Sequence, residues 1–82
     1  MEKNYCVSPT MLMDCILMSM DKDYIWLAEN LEISFPEVIA LMNGSSPITL
    51  DIANKFDSAT GFSASALLMQ QEKYKSFKEG NH

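Results

Sequence analysis

Apolar residues return along this chain at helical spacing, and no stretch alternates as a strand would. Between Thr10 and Met20 the repeat places Leu12, Met13, Ile16 and Leu17 on one stripe. Ser8-Pro9 stands ahead of it as a start signal, with Ser as N-cap and Pro at the first helical position, where a missing N–H costs nothing. Asp21-Lys22-Asp23 breaks the pattern, and Asp23 is placed to cap a second helix whose Leu27 and Ala28 face inward. After Glu32-Ile33, the run Ser34-Phe35-Pro36-Glu37 fits a capping box, with Glu three residues beyond Ser. That third helix ends at Asn43-Gly44, where Gly supplies a left-handed C-terminal conformation. Thr49 caps a fourth helix with Ile52, Ala53, Phe56 and Ala59 on its inner face, and Gly61 ends it. Ser63 caps a fifth, apolar at Ala66, Leu67 and Leu68 and lysine-rich at its end, which suits the negative C-terminal end of the helix dipole. The pattern predicts helices over about 9–20, 24–31, 35–42, 50–60 and 64–77, with frayed termini. The expected fold class is all-α, five short helices in a single domain spanning residues 1–82.

Composition narrows the class. A chain of 82 residues, nearly half of them apolar, is long enough for one modest core and too apolar for a disordered tail. No apolar run approaches the roughly 18 residues of a membrane span. Met1-Glu2-Lys3-Asn4-Tyr5 lacks the basic start and apolar centre of a signal peptide, so the expected location is cytoplasmic. Two cysteines, Cys6 and Cys15, make no disulfide framework and no paired zinc motif. His82 is the only histidine and sits at the terminus, so neither a histidine-based triad nor a histidine metal cluster can form. No Gly-rich phosphate loop is present, and Asp21 and Asp23 read as turn and cap residues. The expectation is a protein that is not an enzyme and uses no metal and no cofactor.

Charge bears on partners. The net charge is −5, and all six basic residues are lysines, at 3, 22, 55, 73, 75 and 78; arginine is absent. Such a balance disfavours non-specific attraction to nucleic acid or anionic membrane, although an acidic surface also serves solubility.

The ordered set Val7-Ser8-Pro9, Leu27-Ala28, Ile33, Val38, Leu41-Met42-Asn43-Gly44, Ile48-Thr49, Ala53, Gly61, Ser63 and Leu68 resembles the Cro/CI-type helix-turn-helix family. Within that family it is closest in pattern to the HigA-type antitoxins. The resemblance runs without a gap from about residue 7 to residue 71. It implies a lambda-repressor-like fold and a dimeric regulator whose third helix enters the major groove of DNA. By position, Ser34, Phe35, Pro36, Glu37, Ile39 and Ala40 would face the bases and Tyr24 a phosphate. Ser45 and Ser46 stand in place of a basic pair, and Glu32 in place of a turn glycine, which would give Glu32 a positive φ.

The departures share one direction. Phe35, Pro36 and Ile39 bring apolar surface, and Trp26 stands where a polar residue is common. Asp23, Glu29, Glu32 and Glu37 are the only charges between residues 23 and 49. Glu37 has a structural role in the capping box beside a second reading as acceptor from cytosine N4. On the first helix, Met11, Cys15 and Met18 keep i, i+4, i+7 spacing and read either as extra core or as an oligomer face. Two functions follow. One is a small regulator whose acidic, apolar recognition face binds a protein partner, sequestering a related helix-turn-helix regulator or masking a basic surface. The other is a sequence-specific DNA-binding repressor or HigA-type antitoxin. Protein contact is the slightly favoured reading, with a homodimer expected and a phage or mobile element as a fitting context.

Overall fold

In a computed structural model, residues 8–80 are described, with side chains through Lys78. Cys6, Lys3 and the first residues of the chain, on which the reading of the start rests, lie outside the described residues, as do Asn81 and His82. Five helices follow one another: α1 Pro9–Met20, α2 Tyr24–Leu31, α3 Phe35–Met42, α4 Leu50–Thr60 and α5 Ala64–Gly80. No strand occurs among the described residues. Only α5 departs from its expected end: it stays helical through Gly80, beyond the predicted 77, so Lys78 to Gly80 extend a regular helix.

The starts are built by local chemistry. Side-chain oxygens of Ser8, Asp23, Ser34 and Thr49 accept the backbone N–H groups of Met11, Trp26, Glu37 and Ile52, respectively. At Ser63 the same contact reaches the N–H of Ala66 at 3.2 Å. Asp57 adds a carboxylate on the N–H of Ala64 at 3.0 Å, tying α4 to the start of α5. The ends need left-handed backbone. Gly61 supplies it after α4 at φ 84°. After α1 and α2 the same conformation falls on Asp21 and Glu32, both at φ 60°. At Asp21 the N–H groups of Asp21 and Lys22 return to the carbonyls of Met18 and Leu17, a Schellman-type closure that fixes the left-handed residue.

The core is one cluster to which every helix contributes: Met13 and Leu17 from α1, Leu27, Ala28 and Leu31 from α2, and Val38 and Leu41 from α3. Ile48 from the following loop, Ala53 and Phe56 from α4, and Ala64 and Leu67 from α5 complete it. Ile16, Ile52 and Leu68 are partly buried against its edge. α2 packs on α3 and α4, α5 on α4 and α1, and α3 on α1. α2 and α3, joined by Glu32, Ile33 and Ser34, are thereby held as one packed unit whose outer side faces away from the cluster.

A single amide fixes the segment after α3. Gln71 of α5 accepts the N–H of Ile48 at 2.8 Å and donates to the carbonyl of Ile48 at 2.9 Å. Both backbone groups of a buried loop residue are thereby satisfied by one side chain.

Candidate functional site

The outer side of the α2–α3 unit carries a group of exposed apolar side chains. Ile25 is 61% exposed, Phe35 47% and Ile39 39%. Ile25 and Phe35 stand together and separate two open hollows. One, of about 400 Å³, is lined by Ile25, Ala28, Glu29, Ile33 and Phe35. The other, of about 370 Å³, is lined by Asp23, Tyr24, Ile25 and Phe35. Ile39 lies one helical turn beyond Phe35 on α3, as the spacing predicts. Ile25 did not figure among the candidates read from the sequence, yet it is the most exposed member of the group.

The capping box holds the start of α3. Ser34 donates its backbone N–H to Glu37 Oε1 at 2.8 Å, and Glu37 donates its own to Ser34 Oγ at 3.3 Å. The Ser34 N–H, then its hydroxyl, hold the Glu37 carboxyl below the usual carboxylate range. Pro36 has no N–H to offer. Of the donors that a helix N-terminus normally presents to an anion, those of Ser34 and Glu37 are therefore engaged and that of Pro36 is missing. At α2 the Asp23 carboxylate occupies the corresponding place by accepting from the Trp26 N–H at 2.9 Å. After α3 the N–H groups of Ser45 and Ser46 both return to the carbonyl of Ala40, at 2.9 and 3.2 Å. Ser45 and Ser46 stay exposed, and Ala40 is half-buried.

Two candidates point elsewhere than expected. Trp26 does not stand free on the face: it is half-buried against the core, with the Lys22 ammonium 5.3 Å from its ring centroid. An indole can cover core edge and take a cation on its face at once. Tyr24 is also half-buried, and its hydroxyl donates to Asp14 Oδ1 at 3.0 Å. Burial, and then the Asp14 carboxylate, raise its pKa above the ordinary phenol range. The group expected beside a phosphate is thus turned to α1.

Lys22 and Lys55 are committed as well. Lys55 pairs with Glu32 and Asp51, each at 3.1 Å, and these contacts, Glu32 first, raise its pKa. With Lys22 over Trp26, the carboxylates of Asp23, Glu29 and Glu37 have no cation paired with them among the described residues. Lys75 and Lys78 lie in a separate cleft of about 590 Å³ between the start of α1, the segment from Met42 to Ile48, and α5. Asn43, Gly44 and Ser46 border that cleft. Lys78 sits 5.5 Å from the Tyr74 ring centroid.

Met11, Cys15 and Met18 are not core. Met11 is 60% exposed, Met18 74%, and Cys15 is exposed with a free thiol. At about 3.6 residues per turn they fall on the side of α1 nearly opposite Met13 and Leu17.

Among the described residues no group of three His, Cys, Asp or Glu side chains is placed to hold a metal ion. No described helix is long and apolar enough to cross a membrane. No protein-family model and no curated protein matches the chain. Among solved structures it is similar to an inferred antidote protein of a plasmid maintenance system from Nostoc punctiforme PCC 73102. The two are 27% identical with a TM-score of 0.81, over 92% of this chain and 82% of that one. The fold is therefore an all-α, five-helix arrangement shared with a small antidote-type protein.

Proposed function

We propose that this protein is an antitoxin-like regulator with a Cro/CI-type helix-turn-helix frame that acts through protein contact. Its α2–α3 face binds a basic protein surface, either a toxin or a related helix-turn-helix regulator. The similarity to a plasmid-maintenance antidote protein supports the regulatory class. The observation that carries the contact mode is the exposed Ile25–Phe35 pair with acidic residues in both flanking hollows. Apolar residues inside a charged rim are the usual anatomy of a protein interface, and a carboxylate rim selects a cationic partner. The same rim repels phosphate, and the N–H groups of Trp26, Ser34, Glu37, Ser45 and Ser46, which could have stood in for lysine or arginine there, are engaged internally. A soluble, cytoplasmic, non-enzymatic role in a phage or mobile element agrees with this reading.

Operator binding is the second reading. Lys75 and Lys78 favour it, because they flank Asn43, Gly44 and Ser46, the turn that follows the would-be recognition helix. A titration of the protein against its own promoter and random duplex, at low and moderate salt, separates the two. Protein contact predicts weak retention that disappears in moderate salt without regard to sequence. Tight, sequence-dependent retention in moderate salt would replace it with operator binding. Affinity capture from the host should then recover a basic protein with the native chain and much less of it with Phe35→Ser.

A further inference from the structure

We infer that Asn43–Gly44 is a site of spontaneous covalent modification, gated by the turn that ends α3, at which the asparagine amide becomes a carboxylate on the border of the Lys75–Lys78 cleft. The site lies apart from the Ile25–Phe35 pair, and the inference holds whichever function that face serves.

The chemistry needs only water. The Gly44 nitrogen loses its proton to water or hydroxide and attacks Asn43 Cγ. The new C–N bond closes a cyclic imide, and Nδ2 leaves as ammonia. Water then adds to either imide carbonyl and reopens the ring. One opening gives aspartate; the other gives isoaspartate, in which the main chain runs through the side-chain carbon. Glycine, with no Cβ, obstructs the attacking nitrogen least. A Cβ built on Gly44 would meet nothing within 4 Å, so the surrounding fold leaves the site open too. Asn43 and Gly44 are both exposed to water. Asn30 and Asn54 lie inside α2 and α4 and are followed by Leu31 and Lys55, so neither shares these conditions.

The fold sets the rate. Asn43 has ψ 4°, which turns the Gly44 nitrogen away from the Asn43 side chain. The Gly44 N–H donates to the Leu41 carbonyl at 3.2 Å, and Asn43 Oδ1 accepts the Ser45 N–H at 2.9 Å. Ring closure requires rotation about the Asn43 Cα–C bond and loss of these contacts. Only the turn has to open, because residues 43 to 46 are exposed and none belongs to the core. The product is a charge change at a defined place. Asn43 lines the same cleft as Lys75 and Lys78, which form no ion pair among the described residues. A carboxylate there adds a negative charge to a chain of −5 and brings it to the lysines that favour operator binding.

The full chain, held at physiological temperature and mildly alkaline pH, should yield an acidic form on ion exchange. Peptide mass mapping should place aspartate and isoaspartate at position 43, with Asn30 and Asn54 still amides. In guanidinium chloride the conversion should run about tenfold faster or more, because the opening step is removed. Asn43→Ser should yield far less of the acidic form. An amide at position 43 that survives in the folded chain after the unfolded chain has converted overturns the inference. Faster loss at Asn30 or Asn54 does so too, as does an undiminished acidic form from Asn43→Ser. Equal rates in the folded and unfolded chains overturn the gating by the turn.

Discussion

At the scale of single residues, two positions carry conformations their side chains disfavour. Asp21 and Glu32 are left-handed at φ 60° because the helices they end must turn sharply into the next cap. For Glu32 the positive φ was legible from the sequence, since a glycine is usual there in the family it resembles. At Asp21 nothing in the sequence marked it, because Asp-Lys-Asp reads equally well as an ordinary turn. Glu32→Gly should stabilise the fold by about 1 kcal/mol, the cost of holding a side chain in left-handed backbone. The exposed contact with Lys55 that it gives up is screened by water and adds little. Urea denaturation would check this, and a Glu32→Gly variant less stable than the native chain would show that the contact dominates. Glu37 sets a pH dependence. Its folded pKa lies below its unfolded value, so the stability it contributes is present above the unfolded pKa and is lost as pH falls through the folded one. Melting temperatures across the acidic range should therefore fall less steeply in Glu37→Gln than in the native chain.

At the scale of elements, the caps made the helices legible because capping is local: each oxygen meets an N–H three residues on. Which face a short helix presents is a tertiary matter. α2 has eight residues, and its sequence read well enough to bury Leu27 and Ala28, but not to distinguish Ile25 from Trp26. Packing against the core draws Trp26 in, while Ile25 stays out beside Phe35. The α2–α3 pair separates stability from binding for this reason. Ile25→Ser and Phe35→Ser alter side chains that lie outside the buried core, so each should change stability far less than a core truncation does. Both should markedly reduce recovery of the basic partner in capture experiments. Loss of binding together with loss of the cooperative unfolding transition would instead make these residues structural. Val38, fully buried one turn after Ser34, is the contrasting site, where truncation to Ala should cost stability.

At the scale of the whole molecule, a chain of this length draws its stability from one cluster, and Phe56 is the largest fully buried side chain in it. Phe56→Ala should cost about 3–5 kcal/mol, most of the margin of so small a domain, and thermal melting should show a loss of folded protein near physiological temperature. The five-helix order was readable from apolar spacing. The contact that joins distant parts was not, since no pattern in the sequence links Ile48 to Gln71, 23 positions apart. That amide has a consequence for the order in which the chain comes apart. Ile48 is the last buried residue before α4, and its peptide groups are satisfied only while α5 is docked. Release of α5 therefore unclasps the segment behind α3 in the same event, and the two halves of the chain share one opening reaction instead of fraying separately. In hydrogen exchange, the Ile48 amide should keep pace with the amides of α5 and not with those of its neighbours Ser45 and Ser46. In Gln71→Ala that coupling should vanish while α1 to α3 exchange as before.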